Sequence, residues 1–282
     1  MRTSSIAAVT FLLVATTAAA LAPAQVPAPA NGFTAVTLNI WHDQQNWPAR
    51  RAVIVDTLRA LAPDVIFLQE VLEKEGLPNQ AQQLADSLGC AFVFTSVDPV
   101  GGAKRYGNAI LTRLPIVAQH EVKLPPLDDY RVAAHARIAL PDGRSLETYV
   151  THLHHTGEGA EIRAEQIAGL FAFVDSTRGG ADAALLIGGD FNAEPEWLEL
   201  APMFERFTDV LAAVHPELVL PAAATFGPAT GTTPRRIDYL FCNGAQLGPT
   251  AARVVLGAPS PDGVWGSDHC GVWARFGAEA GR

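Results

Sequence analysis

Cysteine is scarce in this sequence. Among 282 residues there are only three, Cys90, Cys242 and Cys270. Their number and spacing exclude a multi-disulfide framework and a cysteine-rich zinc site. If Asp238 lies beside His269, as argued below, Cys242 falls about 13 Å along the same strand while Cys270 follows His269 directly, so a bond between them is poorly placed. We expect three free, partly buried thiols, and a single bridge is the alternative that export would permit.

Several short catalytic motifs are absent as well. The sequence contains no H-E-x-x-H, no G-x-S-x-G and no G-x-x-x-x-G-K. These motifs are typical of zinc proteases, α/β-hydrolases and P-loop nucleotide hydrolases, so the common forms of those three enzyme classes are excluded. No internal repeat and no low-complexity linker follows residue 30. We therefore expect one large domain.

Positive charge is in short supply. The chain has 20 Lys and Arg against 29 Asp and Glu, a formal net charge of −9, and loss of Arg2 with a signal peptide would lower it further. Such a chain has no overall electrostatic attraction for nucleic acid, which is therefore a disfavoured partner. Two basic pairs, Lys104-Arg105 and Arg235-Arg236, stand close in sequence to the candidate catalytic residues. Each pair is compatible with a solvated surface or with guiding a phosphate.

Long apolar runs are confined to the N-terminus. Arg2, the apolar run from Ile6 to Val14 and the small residues after it are typical of a signal peptide. The run is shorter than the roughly 20 residues of a membrane span, and an uncleaved anchor is the alternative. We predict a signal peptide over 1–24, a Pro/Ala-rich leader over 25–32, one domain over 33–277 and a tail over 278–282. The mature protein is then expected to be secreted or periplasmic, monomeric and without a transmembrane segment.

Strand-like and helix-like segments alternate along the rest of the chain. Apolar runs between turn residues predict strands at 33–40, 65–68, 91–95, 108–112, from 117, 132–140, 145–151, 183–187, 237–241 and 270–276. Apolar residues at three- and four-residue spacing predict helices at 48–61, 80–88 and 158–177. Hairpins are mixed with crossovers. This pattern favours an α/β fold with mixed sheets and helices outside.

Polar side chains repeatedly follow the apolar strands, and they are Asn39, His42, Glu70, His152, Asp190 and Asn192. Taken singly, each has a plain structural explanation, such as capping a turn or pairing with an arginine. Asp238 is different, because it lies inside a strand-like run where an unpaired carboxylate costs on the order of several kcal/mol. We expect His269 to be its partner, since a carboxylate beside an imidazole fixes the tautomer and raises the basicity.

Oxygen donors dominate these candidates, which are Asn39, Glu70, Asp190, Asn192 and Asp268. Carboxylate and amide oxygens are the ligands that Mg²⁺ and Mn²⁺ prefer, and they disfavour a His/Cys zinc site. The sequence therefore predicts a divalent cation as cofactor, Mg²⁺ in the first place and Mn²⁺ or another divalent ion as the alternative.

Seven motifs carry a resemblance to one family, namely LNIW (38–41), LQE (68–70), YGNAIL (106–111), THL (151–153), GGDFNAEP (188–195), RIDYLF (236–241) and SDH (267–269). In order and spacing they resemble the endonuclease/exonuclease/phosphatase superfamily of DNase I-like metal-dependent phosphoesterases. The resemblance implies a four-layer α/β/β/α sandwich of two packed mixed β-sheets with helices outside. It also implies that the domain over 33–277 is catalytic, with its active site where strands of both sheets converge.

The resemblance implies roles in binding the metal and in activating water. Glu70 would be the principal metal ligand, helped by Asn39 and Asp268. Asp190 would position and deprotonate the attacking water. Asn192 would hold that water or a phosphate oxygen.

It also implies roles for two histidines. His269, oriented by Asp238, would hydrogen-bond the phosphoryl oxygens. His152 would stabilise the pentavalent transition state or assist the leaving group. These roles fit in-line attack on a phosphate, which needs charge neutralisation, a base and donors aimed at oxygens that gain charge.

Five further residues are candidates for contact with substrate or for support of the site. Arg163, on the helix after THL, falls in a family position and either braces the site or lies on the surface. His154 stands where relatives often carry an acidic residue. Asn108 lies in the YGNAIL motif. Arg105 and Arg236 belong to the basic pairs that would grip a nucleic-acid backbone.

We expect a secreted divalent-metal-dependent hydrolase of phosphoester bonds, acting as a phosphodiesterase or phosphomonoesterase by in-line water attack. The alternatives are an extracellular endonuclease or exonuclease, a sphingomyelinase-like lipid phosphodiesterase, and an inactive relative that binds phosphorylated ligands. Some DNA-repair members carry an Asp two residues after the first-strand Asn, where this chain has Trp41, so abasic-site repair is disfavoured. The loop Ser260–Gly266 is short for a membrane-inserting device.

Overall fold

The computed structural model describes residues 32–180, 183–244 and 247–277. The predicted signal peptide over 1–24, the leader up to residue 31 and the tail over 278–282 lie outside the described residues. Among the helices in the described ranges, none has the length and apolar character that crossing a bilayer requires.

Within these described ranges, twelve strands form two six-stranded sheets. In chain order the strands are β1 (Gly32–Asn39), β2 (Val65–Lys74), β3 (Ala91–Ser96), β4 (Lys104–Thr112), β5 (Ile116–Lys123), β6 (Val132–Ala139), β7 (Ser145–His152), β8 (Ala184–Asp190), β9 (Thr208–Asp209), β10 (Asp238–Cys242), β11 (Gly248–Val255) and β12 (Gly271–Gly277). The first sheet has the order β11-β12-β1-β2-β4-β3 and the second the order β5-β6-β7-β8-β10-β9. Both are mixed, because β1 pairs with β2 and β7 with β8 in parallel while their other neighbours run antiparallel.

Helices cover the outer faces of both sheets. They are α1 (Trp47–Leu61) and α2 (Gln80–Leu88) on the first sheet, and α3 (Ala160–Thr177) and α4 (Ala201–Arg206) on the second. A fifth short helix, α5 (Val210–Val214), packs through Val210 and Leu211 into the layer between the sheets. On the first sheet, Ile54 and Leu84 of α1 and α2 pack in one buried cluster with Leu38 of β1. On the second sheet, Leu170 of α3 packs in another with Ile187 of β8. A third apolar layer lies between the sheets. This is the four-layer α/β/β/α sandwich that the family resemblance implies.

The two sheets come very close at Gly188 of β8. A Cβ atom on this residue would lie 2.4 Å from ring atoms of Phe67, which belongs to the opposite sheet. No larger residue fits without moving the sheets apart. The first glycine of the GGDFNAEP motif thus reflects inter-sheet packing.

The predicted elements are present, with ends shifted by a few residues. The largest shift is in β2, which extends six residues beyond the predicted end at Leu68, to Lys74. Four elements are not predicted from the sequence, namely β9, β11, α4 and α5. β11 is an edge strand whose residues are mostly half-buried or exposed, so it lacks the apolar run that marks the inner strands. The other three are short.

Candidate active site

Three predicted residues stand side by side at one edge of the second sheet. His152 is opposite Asp190, and Asp190 is opposite Asp238, on neighbouring strands β7, β8 and β10. Their exposed fractions are only 3%, 1% and 0%. Strand register therefore assembles a buried polar row from segments that are distant in sequence.

One oxygen of Asp190 lies close to side chains from both sheets. Its Oδ2 lies 3.0 Å from Nδ2 of Asn39, 3.4 Å from Nε2 of His152 and 3.8 Å from Nε2 of His269. Burial and the charge of Asp238 raise the pKa of Asp190 to about 7, against the opposing effect of His269. A carboxylate with such a pKa can take up a proton near neutral pH.

The predicted pairing of Asp238 with His269 is confirmed. Asp238 Oδ2 lies 2.9 Å from Nδ1 of His269, which leaves Nε2 on the side of Asp190. Burial lowers the pKa of His269, but the charge and hydrogen bond of Asp238, with the charges of Asp190 and Asp268, outweigh it and raise the pKa to about 10. His269 is thus a cation at neutral pH, suited to oxygens that gain negative charge.

His152 has the opposite character. Burial, reinforced by the positive charges of Arg131 and His269, lowers its pKa well below the ordinary value. Its Nδ1 is buried without a hydrogen-bond partner among the described residues. His152 is therefore a neutral imidazole that can donate one proton or accept one.

Glu70 lies inside a strand, not at the end of one as the sequence predicts. The pairing of β2 with β4 shifts between Leu68 and Val71, which is a β-bulge. Glu70 has a φ of 59° there, and its Oε1 lies 3.2 Å from Nδ2 of Asn39. Leu68 and Val71 both pack under the helices. The bulge is what turns the intervening Glu70 away from them and toward the site.

The amide of Asn39 links the two halves of the site. Its Nδ2 donates to Glu70 in its own sheet and to Asp190 in the other, while its Oδ1 accepts from the backbone N–H of Trp41 at 2.9 Å. The amide nitrogen, not the oxygen, thus faces the carboxylates. Ligation of a metal by Asn39 requires the amide to turn over and stays a prediction.

Asp268 lies at the rim of the site beside Glu70. The neighbouring Ser267 donates its hydroxyl to the carbonyl of Asn39 at 2.6 Å, which fixes this loop against the end of β1. Burial raises the pKa of Asp268. The positive charge of His269 lowers this pKa, and the negative charge of Glu70 raises it further. Two carboxylates that repel each other at a partly open rim suit a divalent cation.

A tighter group of potential metal ligands lies deeper. Within the part of the chain that the structure describes, ligand atoms of Asp190, Asp238 and His269 lie within 4.8 Å of one another. Asp238 and His269 already bond to each other, and all three side chains are buried. This group is better suited to proton transfer than to holding a hydrated ion, so the carboxylates at the rim are the stronger candidates for a cation.

Asn192 connects the end of β8 to the end of β7 by hydrogen bonds. Its φ is 50°, its N–H donates to Asp190 Oδ1 at 2.9 Å, and its Nδ2 donates to the carbonyl of Leu153 at 3.0 Å. The amide oxygen and one amide hydrogen stay available to a ligand. Its predicted place next to the water or phosphate is compatible with this geometry.

Two predicted substrate contacts, Arg105 and Arg236, do not reach the site. Arg105 lies 3.4 Å from Oε2 of Glu73, on the face of β4 that packs under the helices. Arg236 is bonded to Asp209, with its guanidinium 4.9 Å from the ring of Tyr239 on the outer face of the second sheet. Strand alternation turns Arg105 away from the inner face. Arg236 precedes β10 and is held on the outer side by its contacts with Asp209 and Tyr239. The basic pairs therefore do not form a phosphate groove through these residues.

Asn108 and His154 are bonded to other parts of the protein. Asn108 Nδ2 donates to the carbonyl of Val132 at 3.0 Å and so joins the two sheets. His154 has both ring nitrogens engaged, Nδ1 at 2.9 Å from Asp129 and Nε2 at 2.9 Å from the hydroxyl of Thr156. The His154 ring therefore cannot ligate or transfer a proton without breaking one of these bonds.

Arg163 is not a surface residue, since none of its side chain is exposed. It donates to Glu199 Oε1 at 3.0 and 2.7 Å and to the carbonyls of His154 and Thr156 at 3.2 and 2.6 Å. Of the two alternatives, bracing of the loop after β7 is therefore the one that the structure bears out.

Sequence reasoning missed Arg131, which lies just before β6. It is 3% exposed, its guanidinium lies 4.5 Å from the ring of Tyr130, and its Nε is buried without a hydrogen-bond partner among the described residues. Its charge also lowers the pKa of His152. An arginine directly before an apolar strand was the available signal.

Arg50 of α1 was missed too, and it fixes the loop after β1. It is 2% exposed and donates five hydrogen bonds of 2.7 to 3.1 Å, to the carbonyls of Ile40, Trp41, His42, Gln44 and Gly266. Burial lowers its pKa to about 10, while the charges of Asp268, Asp43 and Glu70 oppose this. Arg50 therefore joins the loop after β1 to the loop that carries Asp268.

We expect Arg50→Met to lower the free energy of unfolding by about 3 kcal/mol or more, because buried carbonyls lose their donors. Urea unfolding followed by circular dichroism measures this. Arg51→Met, next to it on the same helix, removes a half-buried side chain bonded to Gln83 and is the matched control. We expect the control to cost about 1 kcal/mol or less. Equal losses for the two variants would contradict the role given to Arg50.

A further buried histidine–carboxylate pair lies away from the site. His135 Nε2 is 2.6 Å from Glu147 Oε2, and Arg137 Nε is 2.8 Å from Oε1. Glu147 precedes His152 by five residues on β7, which is about 17 Å along the strand. This pair therefore serves the second sheet and not the site.

The Glu147 carboxylate should stabilise the fold in a pH-dependent way. Burial raises its pKa, but hydrogen bonds from His135, Arg137 and the N–H of Gly179 outweigh this and hold the pKa below the ordinary value. A lowered folded-state pKa gives stability that is present above the unfolded value of about 4.3 and is lost as the pH falls through the folded value. We expect Glu147→Gln to be less stable than wild type at pH 7, and the difference in urea midpoint to shrink below about pH 4. A difference that is independent of pH would argue against an ionised Glu147.

Comparison with known protein families agrees with the fold. A sequence profile of the Endonuclease/Exonuclease/phosphatase family matches residues 36–269. The chain belongs to this family, whose members are hydrolases of phosphoester bonds, and its two packed sheets with outer helices are the DNase I-like sandwich. No curated protein matches the chain.

Solved structures show the same fold at low identity. The human Nocturnin catalytic domain with bound sulfate is 21% identical with a TM-score of 0.72, and the match covers 88% of this chain and 94% of that one. D. rerio TDP2 in complex with a single-strand DNA product is 19% identical with a TM-score of 0.73, covering 88% and 99%. An endonuclease/exonuclease/phosphatase from Beutenbergia cavernae is 23% identical with a TM-score of 0.68, covering 88% and 72%.

Proposed function

We propose that this protein is a divalent-metal-dependent hydrolase of phosphoester bonds, a phosphodiesterase or phosphomonoesterase that works by in-line attack of water. The surroundings of Asp190 Oδ2 carry the proposal. Two histidine nitrogens lie within 3.8 Å of this oxygen, and the amide of Asn39 joins it to Glu70. A base, a cationic donor and a rim of carboxylates thus converge on one small region.

Asp190 is the proposed general base. In its ionised form, Oδ2 accepts a proton from the attacking water, and its raised pKa gives that oxygen a useful affinity for the proton. Asn192 holds the water or a phosphate oxygen with its side-chain amide. General-base catalysis of this kind contributes about 10²–10⁴ in rate.

The two histidines act on the phosphate. His269 donates its Nε2–H to phosphoryl oxygens, and Asp238 keeps it charged and oriented. His152, which is neutral, stabilises the pentavalent transition state or assists the leaving group by donating a hydrogen bond to its oxygen. The division between a charged and a neutral imidazole follows from their different neighbours.

Glu70 and Asp268 are the proposed anchors of the cation, with Asn39 as a further ligand. The two carboxylates repel each other, and a cation between them would relieve this repulsion. Because the donors are mainly oxygen atoms, they fit Mg²⁺, with Mn²⁺ as the alternative. A cation held there neutralises the charge that develops on the phosphate oxygens.

A nuclease is the leading alternative for the substrate, and it is supported by the D. rerio TDP2 structure, which holds a single-strand DNA product. The net charge of −9 and the positions of Arg105 and Arg236 away from the site count against it. A sphingomyelinase is a weaker alternative, since Trp265 is half-buried and its loop is short. An inactive relative is the weakest, because every matched side chain is present. Secretion and a monomeric state stay proposals from the sequence.

Hydrolysis of bis-p-nitrophenyl phosphate and p-nitrophenyl phosphate tests the proposal. Each reaction is followed by the absorbance of the released nitrophenolate, in the presence of Mg²⁺, Mn²⁺ or EDTA. We expect EDTA to abolish turnover and added metal to restore it, and the ester cleaved faster tells a diesterase from a monoesterase. Failure to cleave either compound, plasmid DNA or sphingomyelin with any metal would support the inactive relative instead.

A further inference from the structure

The loop after β1 is held in a backbone conformation that residues with side chains disfavour. Trp41 and His42 have φ angles of 56° and 30°, which lie in or near the left-handed region. Arg50 donates to both of their carbonyls, at 3.1 and 2.7 Å, and Gln80 donates to that of His42 at 2.8 Å. Such strain persists only where surrounding contacts impose it, and it clusters at functional sites.

This backbone places the His42 ring opposite Glu70. Nε2 of His42 lies 3.8 Å from Oε2 of Glu70, and the two side chains are 27% and 18% exposed. The separation is too long for a hydrogen bond. The two atoms therefore face each other at the open rim without a direct bond.

The second ring nitrogen of His42 is fixed by a carboxylate. Nδ1 lies 2.9 Å from Oδ1 of Asp43, whose other oxygen is bonded to the ammonium of Lys74. In the neutral tautomer that carries its proton on Nδ1, Asp43 accepts this proton and Nε2 presents a lone pair toward Glu70. A cation between that lone pair and the carboxylate oxygen would be attracted to both. Histidines that bind metals usually donate their other ring N–H to a carboxylate or a similar acceptor.

We propose that His42 is a nitrogen ligand of the cation at Glu70, and that it favours Mn²⁺ and similar transition metals over Mg²⁺ and Ca²⁺. The proposal rests on the proposed function, because it requires the cation site at Glu70. Imidazole nitrogen binds transition metals, whereas Mg²⁺ and Ca²⁺ take oxygen ligands almost throughout. His42 therefore changes which metal the oxygen-donor site holds best.

Binding of Mn²⁺ to the whole protein tests the proposal without any substrate. Pulsed EPR detects the coupling of Mn²⁺ to a ligating ¹⁴N nucleus, and titration calorimetry gives the affinities for Mn²⁺ and Mg²⁺. We expect the coupling in wild type and its loss in His42→Gln, together with a fall in Mn²⁺ affinity of about tenfold or more and a change in Mg²⁺ affinity under about threefold. His155→Gln, an exposed histidine of the neighbouring loop, is the matched control and should keep both the coupling and the affinity.

Asp43→Asn gives a second measurement that leaves the ligand in place. It should keep the nitrogen coupling and weaken Mn²⁺ binding by about 10- to 100-fold. Coupling that persists in His42→Gln, or equal losses of Mn²⁺ and Mg²⁺ affinity, would overturn the proposal while the cation site itself stands. Mn²⁺ binding that is unchanged in Glu70→Gln would remove the site on which both proposals rest.

Discussion

Asp190→Asn is expected to lower the rate of metal-dependent phosphodiester hydrolysis by about 10²–10⁴. The asparagine keeps the shape and one acceptor oxygen, but it cannot take a proton from water. The fold should tolerate the change, because burial and Asp238 already disfavour the charge on this carboxylate. Initial rates on bis-p-nitrophenyl phosphate at saturating Mg²⁺, with the thermal midpoint measured on the same samples, separate loss of catalysis from loss of fold.

Asp142→Asn is the control for this variant. Asp142 lies in the exposed hairpin between β6 and β7, with its carboxylate on the side chain of Arg144. We expect wild-type rates from it. If Asp190→Asn retained more than about one tenth of the wild-type rate, the base would have to be another group.

His269→Ala is expected to slow hydrolysis by about 10²–10³, because the reaction loses a donor aimed at the phosphate oxygens. Asp238→Asn leaves that imidazole in place but removes the charge that raises its pKa. We expect a loss of similar order from it, since a neutral or wrongly oriented imidazole stabilises the transition state poorly. Values of kcat and KM for both variants measure these losses.

The double variant shows whether the two residues work as one unit. If Asp238 acts only through His269, adding Asp238→Asn to His269→Ala should cost little more than His269→Ala alone. Losses that multiply would mean that Asp238 has an independent role. A His269→Ala variant with the wild-type rate would reject the phosphate-binding role of this histidine.

Much of the fold could be read from the sequence because the inner strands are apolar runs with polar ends. Asp238 is the clearest case, since a carboxylate inside an apolar strand requires a partner and His269 supplies one. The row of His152 and Asp190 follows from strand register once β7 and β8 are parallel neighbours. These features depend on local pattern and on simple rules of pairing.

Other features depend on contacts that local pattern does not reveal. The bulge at Glu70 leaves no apolar or glycine signal, so its strand appeared to end early. Arg50 looks like any polar residue of an amphipathic helix, yet it is buried. Arg105 and Arg236 were predicted by charge alone, but Arg105 pairs with Glu73 and Arg236 with Asp209, both away from the site. Burial of a charge depends on the tertiary partner, which spacing along the chain does not specify.

The contact of Gly188 with Phe67 also bears on how this enzyme family can change over evolution. The proposed base and the proposed cation site belong to different sheets, and one amide, that of Asn39, spans the gap between them. The thickness of the apolar layer between the sheets therefore sets the alignment of the two catalytic halves. Substitutions in that layer can retune turnover without altering any residue that meets the substrate, so drift in the core and change of activity are coupled in this architecture.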